Sequence, residues 1–383
     1  MRRVLLVQPS LQPPGGGNGV AAWMLQALAR EQRVTVLSWR PVDIEPINRF
    51  FGTTLQSGDF DTLVMPRRWT TVPDHLPVPA ALMRSALLMR YTRRVTDGFD
   101  VIVGGHNETD YGRRGIQYVH YPTYLRPRPE ADLRWYHRSA VILLAYYRFA
   151  DRLADFSVDR MKANLTLANS NWTAAELRRS LGIGARTLYP PVVDAAPPAP
   201  WDERRAGFLA IGRISPEKEY ERIMRIVAGV RSLNPAITLT IVGTWDRHSR
   251  RYYQHLQELA ASLGSWIEFR NNLPRSAIND LMATHRYGIH GMRQEHFGMA
   301  PAEMVRAGMI VWVPYGGGQV EIVDGEPELV YDSEEQAADK ISRALGSVAE
   351  QKRLRELLAV RAQSFGSERF VAEVREIVRT FRE

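Results

Sequence analysis

The sequence predicts an α/β protein built from two Rossmann-like domains that face each other across a cleft. Short β-rich runs alternate with amphipathic helical segments in both halves of the chain. Five prolines crowd residues 190–200, where neither a sheet nor a helix can continue. A chain of 383 residues is also too long for one ordinary hydrophobic core. We therefore predict a first domain over residues 1–195 and a second over residues 196–365.

The predicted strands are short runs of apolar and β-branched residues, each followed by a helical pattern. In the first half they are residues 4–8, 34–38, 101–104, 116–120, 165–168 and a piece near 187–189. In the second half they are residues 207–211, 237–242, 266–269, 287–290, 310–314 and 329–331. Strands that alternate with helices in this way are typical of parallel sheets.

Composition excludes several classes of protein. Apolar residues make up 45% and charged residues 24% of the chain, which are globular values, and there is no cysteine. Disulfide scaffolds, thiolate zinc sites and cysteine nucleophiles are therefore excluded. The longest apolar run, Ala140 to Tyr147, is too short to span a bilayer. Met1 is followed almost at once by a predicted buried strand rather than a signal peptide, so we expect a cytoplasmic protein.

The net charge of +8 is unevenly distributed. Residues 1–195 hold 25 basic against 17 acidic side chains, whereas residues 196–383 hold 25 of each. A basic first half suggests an anionic partner, such as phospholipid, a lipid-linked phosphate or nucleic acid. An arginine-rich surface without a binding role explains the same charge distribution, and both interpretations stay open.

Two glutamates eight positions apart form the most informative motif. Glu295 follows the strand predicted over residues 287–290, and Glu303 falls in a helix predicted over residues 300–307. Ligands of open α/β sheets bind outside the carboxyl ends of the strands. Ionised carboxylates only accept hydrogen bonds. The pair therefore suits a ligand rich in hydroxyls, such as a ribose and a hexose, with two solvated glutamates as the alternative.

Two glycine-rich turns also follow predicted strands. Residues 14–19 precede a helix predicted from about Val20, and residues 315–318 precede Glu321. Glycines let a backbone approach a ligand closely, and a helix start offers N–H groups to an anion. The first turn matches neither the dinucleotide fingerprint nor a P-loop. A phosphate contact and a plain flexible turn are both compatible with it.

Lys218 lies in a third strand-to-helix turn, Gly212-Arg213-Ile214-Ser215-Pro216-Glu217-Lys218. The chain holds only four lysines among its 50 basic residues, so a lysine here indicates that a compact positive charge is needed. Together with Arg213 it could neutralise a pyrophosphate leaving group. The turn is also explained as a helix cap, with Ser215 as the cap and Pro216 as the first helical residue.

His120 is the histidine that we predict at the carboxyl end of a strand, in Tyr118-Val119-His120-Tyr121-Pro122-Thr123. That position directs it toward the ligand edge of a parallel sheet. His106 and Asn107 follow another strand and are weaker candidates. Asp59-Phe60-Asp61 matches a metal-chelating Asp-x-Asp pattern but has no neighbouring ligands, so we interpret it as a loop before a weak strand over residues 62–65. We expect neither a metal nor another cofactor.

Taken in order, these segments resemble the retaining glycosyltransferases of family 4, which have the two-domain GT-B fold. The resemblance covers nearly the whole chain and is most specific over residues 212–323. That region holds Gly-Arg-x4-Lys, Glu-x7-Glu and a glycine turn before Glu321 in the family's order and spacing. Residues 118–123 together with 295–298 are similar in particular to α-1,2-mannosyltransferases that extend lipid-linked oligosaccharides.

The resemblance implies roles for the matching residues. The donor pyrophosphate would be bound by Arg213 and Lys218, with Gly16 and Gly17 approaching it from the first domain. Glu303 would take the ribose hydroxyls, and His120 would contact the sugar near the reacting carbon. The transferred hexose would be held by Glu295 together with His296, Phe297, Gly298 and Met299. A final helix, near residues 366–383, would return to the first domain.

The implied activity is transfer of a hexose, with retention, from a nucleotide diphosphate sugar to a hydroxyl of a glycan, lipid-linked or small-molecule acceptor. Mannose is favoured, with glucose or N-acetylglucosamine next. One alternative is a GT-B epimerase that releases a rearranged sugar. Another is a non-catalytic basic protein that binds membrane or nucleic acid, with Arg84, Arg90, Arg93 and Arg94 on a helix suited to membrane docking. We expect no nucleic-acid partner, and peripheral contact with an anionic membrane stays open.

Overall fold

The computed structural model describes residues 1–75, 81–122, 140–193, 197–247 and 249–382. The chain divides into two compact units. Unit 1 is Met1–Pro191 with Ser367–Glu383, and unit 2 is Val192–Gly366. The division falls inside the proline-rich segment, close to the boundary predicted after residue 195. None of the helices in the described ranges has both the length and the apolarity needed to cross a bilayer.

Unit 1 contains a sheet whose strand pairs are all parallel. Its strands are β1 (Arg3–Val7), β2 (Arg33–Ser38), β3 (Asp61–Val64), β4 (Val101–Gly104), β5 (Ile116–Val119), β6 (Leu165–Ala168) and β7 (Ala185–Thr187). They lie in the order β3-β2-β1-β4-β5-β6-β7. The central strands β1, β4 and β5 are buried almost throughout, as expected for a parallel sheet covered on both faces.

The helices of unit 1 connect these strands. They are α1 (Gly16–Ala29), α2 (Ile44–Phe51), α3 (Arg67–His75), α4 (Ala81–Val95), α5 (Ala140–Ala154), α6 (Val158–Lys162) and α7 (Asn171–Leu181). Local signals explain several of their ends. Ser157 and Ser170 each accept a hydrogen bond from the first turn of the helix that follows. Gly182 ends α7 in the left-handed conformation that glycine adopts without strain.

Two local predictions for unit 1 were wrong. Helix α1 begins at Gly16 rather than near Val20, so its glycines form the first turn of the helix instead of a loop before it. Gly19 fits this turn because any Cβ there would lie 2.9 Å from the Phe51 ring. Asp61 is not in a loop but opens the edge strand β3, where it pairs with Thr35 of β2.

Unit 2 repeats the same construction with a second all-parallel sheet. Its strands are β8 (Arg205–Ile211), β9 (Thr238–Gly243), β10 (Ile267–Asn271), β11 (His285–Ile289), β12 (Ile310–Pro314) and β13 (Val330–Tyr331). They lie in the order β10-β9-β8-β11-β12-β13. All six strands overlap the predicted ones, with ends that differ by one or two residues. The carboxyl ends of β8, β11 and β12 therefore meet at one edge of this sheet.

The helices of unit 2 run between its strands and after the last one. They are α8 (Tyr220–Leu233), α9 (Arg250–Leu263), α10 (Arg275–Thr284), α11 (Met299–Arg306), α12 (Gln319–Ile322), α13 (Glu334–Leu345) and α14 (Val348–Ala362). Ser333 and Ser347 cap α13 and α14 by accepting from backbone N–H groups of the first turn. The final helix, α15 (Ser367–Thr380), belongs to unit 1, where Arg375 donates to the Ala27 carbonyl of α1 at 2.9 Å.

Asp110 is the buried charge on which the region between α4 and α6 depends. Its side chain is fully buried and accepts from Arg160 at 2.9 Å and from Arg93 at 3.1 Å. The backbone N–H groups of Gly112 and Ser157 donate to the same carboxylate at 2.9 and 2.8 Å. Because a buried charge is tolerated only when it is paired and hydrogen-bonded, this carboxylate fixes three separate segments of unit 1.

We expect Asp110→Asn to lower the free energy of unfolding by about 3 kcal/mol, because two guanidiniums would lose their shared counter-ion while the amide cannot accept from all four donors. Urea denaturation followed by circular dichroism measures the change. Glu45→Gln, which breaks the exposed pair with Arg49, is the matched control and should change the unfolding free energy by less than about 0.5 kcal/mol. Equal effects of the two substitutions would contradict this role of Asp110.

Candidate functional site

Lys218 lies at the carboxyl edge of the unit 2 sheet, after β8. It ends a short 3-10 turn, Pro216–Lys218, and Glu219 follows in the left-handed conformation before α8 begins. Ser215 and Pro216 take the cap position and the first position of this short 3-10 turn, as the alternative interpretation expected, but they do not cap α8. The Ser215 side chain makes no capping hydrogen bond, and its hydroxyl donates to the Glu217 carboxylate at 2.6 Å. The interrupted turn leaves Lys218 outside α8, with its side chain largely buried.

Glu295 and Lys218 form a buried ion pair. The Lys218 ammonium contacts the Glu295 carboxylate directly, and the Met292 sulfur lies 3.4 Å from the Lys218 Nζ. The Nε2 atom of His290, which is 4% exposed, lies 3.4 Å from the same carboxylate. The sequence predicted the lysine and the glutamate separately, and the structure brings their charges together.

The electrostatics of this cluster keep Glu295 ionised. Burial alone raises the pKa of the Glu295 carboxyl, but the contacts of His290 and the Lys218 ammonium outweigh it and hold that pKa well below its ordinary value of 4.5. Burial lowers the pKa of His290, and the nearby Lys218 ammonium adds to that effect. The site therefore presents a carboxylate and an ammonium side by side, with a neutral imidazole beneath them.

The second glycine turn supports the backbone of Glu295. Gly316 and Gly317 have φ values of 93° and 81°, which glycine adopts without strain. The Gly318 N–H donates to the Glu295 carbonyl at 2.7 Å, and any side chain at Gly317 would overlap the Glu295 backbone. We predicted backbone donors here for a carboxylate or phosphate. The N–H of Gly318 instead holds the loop of Glu295.

Gln319, the residue after this turn, joins four carbonyl groups. It is fully buried, and its amide nitrogen lies 3.0 Å from the carbonyl of Met292, 3.1 Å from that of Arg293 and 3.2 Å from that of Pro314. The Gly316 carbonyl is a fourth neighbour. The two N–H groups of the amide are shared among these acceptors, so Gln319 fixes the position of the loop that carries Glu295.

The segment between Glu295 and Glu303 has a buried side-chain layer. Phe297 is 3% exposed and packs edge-to-face on Phe365 with ring centroids 5.6 Å apart. Gly298 has a φ of 105° and precedes α11, which begins at Met299, one residue before the predicted start. The Phe297 ring is thus a core group, so a ligand contact from Phe297 has to come from its backbone. His296 is half-buried in the same loop.

Glu303 lies on α11 and is paired with Arg275. The Arg275 guanidinium, at the start of α10, lies 2.8 Å from the Glu303 carboxylate, whose side chain is 14% exposed. Arg213, the predicted partner of Lys218, is by contrast 76% exposed. Its guanidinium lies 3.4 Å from the Glu217 carboxylate. The structure therefore gives fixed positions to Lys218, Glu295 and Glu303, whereas Arg213 is an exposed arm whose surface pair contributes little to its position.

His120 follows β5 in unit 1 and is held through both its backbone and its ring. Asn107, which has a φ of 53°, accepts from the His120 N–H at 2.9 Å, and Asn169 donates to the His120 carbonyl at 3.0 Å. The ring Nε2 is 3.0 Å from the Gly105 carbonyl, so Nε2 carries the proton in the neutral ring and Nδ1 the lone pair. A Cβ at Gly17 would come within 3.2 Å of this ring.

The basic helix considered for membrane docking is α4, and all four of its arginines contact other parts of unit 1. Arg84 lies 3.2 Å from Asp74, Arg90 donates to the Leu153 carbonyl at 3.0 Å, and Arg93 contacts Asp110. Arg94 stacks over the Trp69 ring at 4.9 Å. These contacts favour the interpretation of α4 as a packed helix over that of a membrane-docking face.

Four residues around Glu295, Glu303 and His120 were either not singled out from the sequence or were considered only as weaker candidates. His290 ends a predicted strand in the same way as His120, which was the available signal. Asn107 carried a similar signal and was considered only as a weaker candidate. Gln319 and Arg275 gave none, because their importance comes from carbonyls and a carboxylate that only the fold brings near them. No group of three or more His, Asp or Glu side chains forms a metal site within the described residues.

The fold and this site define a two-domain protein of the GT-B class, which confirms the predicted fold class. Solved structures with the same fold include HepE from Anabaena in complex with UDP and glucose, with a TM-score of 0.69, 16% identity and full coverage of both chains. WaaG, a glycosyltransferase involved in lipopolysaccharide biosynthesis, gives a TM-score of 0.68 at 17% identity over 99% of this chain and 100% of its own.

Residues 195–361 match the family model described as Glycosyl transferases group 1, which confirms the predicted resemblance. One curated relative is the human GDP-Man:Man(3)GlcNAc(2)-PP-Dol alpha-1,2-mannosyltransferase, 26% identical over 56% of this chain and 47% of the relative. The mouse protein of the same name is 25% identical over 63% of this chain and 55% of its own length. The chain thus spans about half the length of the curated relatives that it matches.

We expect Gln319→Glu to destabilise unit 2 by about 2 kcal/mol or more, because a carboxylate would face carbonyl oxygens that it cannot donate to. Thermal denaturation measures the effect. The control is Gln336→Glu, because the Gln336 side chain accepts from the Asp332 N–H at 2.8 Å and a carboxylate can accept there equally well. Comparable melting temperatures for the two variants would show that the carbonyl cluster does not depend on the amide.

The ion pair at Glu295 predicts a defined dependence of stability on pH. The folded-state pKa of Glu295 lies below its ordinary value of 4.5, so its stabilising contribution is present above that pH and is lost as the pH falls below it. Lys218→Met should raise the folded-state pKa of Glu295. The free energy of unfolding should then fall less steeply as the pH is lowered. Urea denaturation at several pH values between about 3 and 6 measures the slope.

The matched control for the pH experiment is Lys352→Met, since Lys352 is 73% exposed and only 3.9 Å from Glu356. This variant should follow the wild-type pH profile. Parallel profiles for Lys218→Met and the wild type would contradict the assignment of the lowered pKa to the ion pair.

Proposed function

We propose that this protein is a retaining hexosyltransferase that uses a nucleotide diphosphate sugar as donor. The observation that carries the proposal is the buried contact between Lys218 and Glu295 at the carboxyl edge of the unit 2 sheet, inside the segment that matches the Glycosyl transferases group 1 family model. An ammonium beside an ionised carboxylate offers one group for a phosphate and one for sugar hydroxyls. Both are needed to hold a sugar diphosphate.

The leaving group is assigned to Lys218 and Arg213. A diphosphate gains negative charge as its bond to the sugar breaks, and positive groups already in position stabilise that charge most. Lys218 is held in place by its contacts with Glu295 and Met292, so little reorganisation is needed when the donor binds. Arg213 is exposed and can add its charge once the diphosphate is present. Gly16 and Gly17 are proposed to offer backbone N–H groups at the start of α1.

The donor's sugars are assigned to the two carboxylates. Glu295, kept ionised by its neighbours, would accept from hydroxyls of the transferred hexose, with backbone groups of residues 297–299 beside it. Glu303 would accept from the ribose hydroxyls, and Arg275 keeps its carboxylate oriented. His120 is proposed to contact the hexose near its reacting carbon, since its backbone and ring are both fixed.

The proposed reaction needs no covalent intermediate on the protein. The bond between the anomeric carbon and the phosphate oxygen breaks, and the acceptor oxygen bonds to that carbon from the same face, which retains the configuration. The acceptor's proton passes to the departing phosphate oxygen. The protein's contribution is to position both substrates and to stabilise the developing diphosphate charge.

The donor and acceptor are proposed from the relatives. The curated relatives are described as α-1,2-mannosyltransferases that use GDP-Man and a dolichol diphosphate-linked glycan, so GDP-mannose is the favoured donor and a lipid-linked glycan the favoured acceptor. UDP-glucose and UDP-N-acetylglucosamine are the competing donors, and the HepE complex with UDP and glucose supports testing them. The proposed location is the cytoplasm, with peripheral contact at the inner face of a membrane where such an acceptor is presented.

The decisive experiment follows sugar transfer by mass spectrometry, with each of the three donors, in the presence and absence of a lipid-linked glycan acceptor. We expect Lys218→Ala to lower kcat by about 100- to 1000-fold, as for loss of one charge-stabilising contact, and Lys352→Ala to leave it unchanged. Glu303→Gln should mainly raise the Kd of the donor, measured by calorimetry.

Two outcomes would contradict the proposal. Near-normal turnover by Lys218→Ala would show that the leaving diphosphate does not depend on this cation. A rearranged free sugar formed without any acceptor would instead identify an epimerase. An unchanged donor Kd in Glu303→Gln would reject only the assignment of the ribose.

A further inference from the structure

A second cavity lies at the opposite edge of the unit 2 sheet, among the amino ends of its strands. It measures about 740 Å³ and is lined by Ala206 of β8, Arg286 and Tyr287 of β11, and residues 234–237 just ahead of β9. Lys218 and Glu295 follow the carboxyl ends of the same strands. Because β8 and β11 are five to seven residues long at about 3.3 Å per residue, the two places are separated by the length of the sheet.

The cavity is centred on one indole that three guanidiniums surround. Arg355, Arg286 and Arg204 lie 4.4, 5.6 and 5.7 Å from the centre of the Trp201 ring. In the part of the chain that the structure describes, none of the three has a carboxylate within 4.0 Å, whereas about half of the arginines of unit 2 do. Burial and the charges of Arg355 and Arg286 lower the pKa of Arg204. The cluster is thus electrostatically unfavourable as it stands.

The three arginines differ in what else they do. Arg204 donates to the carbonyls of Ala199, Ala307 and Gly308, and Arg286 donates to those of Trp201 and Asp202, so both have structural tasks. Arg355 contacts the indole face and makes no hydrogen bond or ion pair to any described residue. Its guanidinium lines the cavity together with Arg286 and Lys352. Asp202 is the one acidic side chain among the lining residues, so the lining has a net positive charge.

Most of the remaining lining residues are apolar, and some of them are exposed. Leu233 and Val348 at the rim are 72% and 85% exposed, and Tyr287 packs edge-on to Trp201 at 6.0 Å. The volume is within the range of small-molecule sites, which are mostly apolar with a few polar groups that fix orientation. A planar, weakly hydrated guanidinium on an indole is suited to bind a phosphate or carboxylate through two parallel hydrogen bonds.

We propose that this cavity is a second binding site, for an amphipathic anion whose phosphate or carboxylate headgroup meets Arg355 and Arg286 and whose apolar chain lies against Trp201, Leu233 and Val348. The charge of the headgroup supplies the counter-ion that the arginine cluster lacks. The apolar chain covers side chains that are otherwise in water. This site is independent of glycosyl transfer and does not rest on the proposed donor site.

Dodecyl phosphate, kept below its micellar concentration, is the probe for this site, and calorimetry together with thermal shift is the measurement. We expect binding by the wild type and at least tenfold weaker binding by Arg355→Gln and Arg286→Gln. Arg343→Gln, which removes one exposed charge from unit 2 by breaking the pair with Glu328, is the matched control and should bind as the wild type does. The melting temperature without ligand reports whether each variant is folded.

Two further probes separate the parts of the site. Inorganic phosphate should bind much more weakly than dodecyl phosphate, and equal binding by both would overturn the apolar half of the assignment. Dodecyl maltoside, which has the same chain without a charge, should not compete. Equal affinity of dodecyl phosphate for a folded Arg355→Gln variant and for the wild type would overturn the site itself. Sugar transfer by Arg355→Gln should stay at the wild-type rate, so failure here leaves the proposed function unaffected.

Discussion

The ionised state of Glu295 is the constraint on which the candidate donor site depends. A carboxylate that is largely shielded from solvent needs a counter-charge, and Lys218 provides it from a turn more than seventy residues earlier in the chain. Bringing the two together requires the carboxyl ends of β8 and β11 to be neighbours, which the strand order of the sheet ensures. The broken turn before α8 then directs the lysine across to the adjacent loop. The strand order of unit 2 thus determines that Lys218 and Glu295 can form an ion pair.

His120 in unit 1 is held in position without a charged partner. Its backbone N–H donates to Asn107, its carbonyl accepts from Asn169, and its ring lies against the Gly105 carbonyl. Gly17 leaves room for that ring because it has no side chain. The glycines of α1 are therefore explained by close packing within the unit, and this explanation holds whether or not a phosphate approaches them.

Much of this architecture could be predicted from the sequence, because parallel strands are short, apolar and regularly separated by helices. The six strands of unit 2 were each predicted to within a residue or two. The edge strand β3 was predicted only as a weak strand, over residues 62–65, because only one side of an edge strand is paired and its residues are exposed or half exposed. The start of α1 was placed too late because glycines disfavour a helix on local propensity, and packing against Phe51 and His120 overrides that preference.

The site was predicted less completely than the fold. Lys218 was singled out because lysine is rare in this chain, and Glu295 and Glu303 were singled out through their spacing. Arg275 could not be found in this way, since nothing in its neighbourhood distinguishes it from the other arginines of the chain. Its importance comes entirely from a carboxylate on another helix. Residues that act through long-range contacts leave no local pattern.

The carbonyl cluster around Gln319 has a consequence for any attempt to exchange the loop that bears Glu295. The backbone carbonyls of this loop accept hydrogen bonds from the Gln319 side chain and the Gly318 N–H, which follow the next strand. The two segments therefore depend on each other's conformation. If residues 292–298 were replaced by those of a homologue, Gln319 and the glycines at 316–318 would face a backbone that they do not fit. A transplant has to carry residues 315–319 with it.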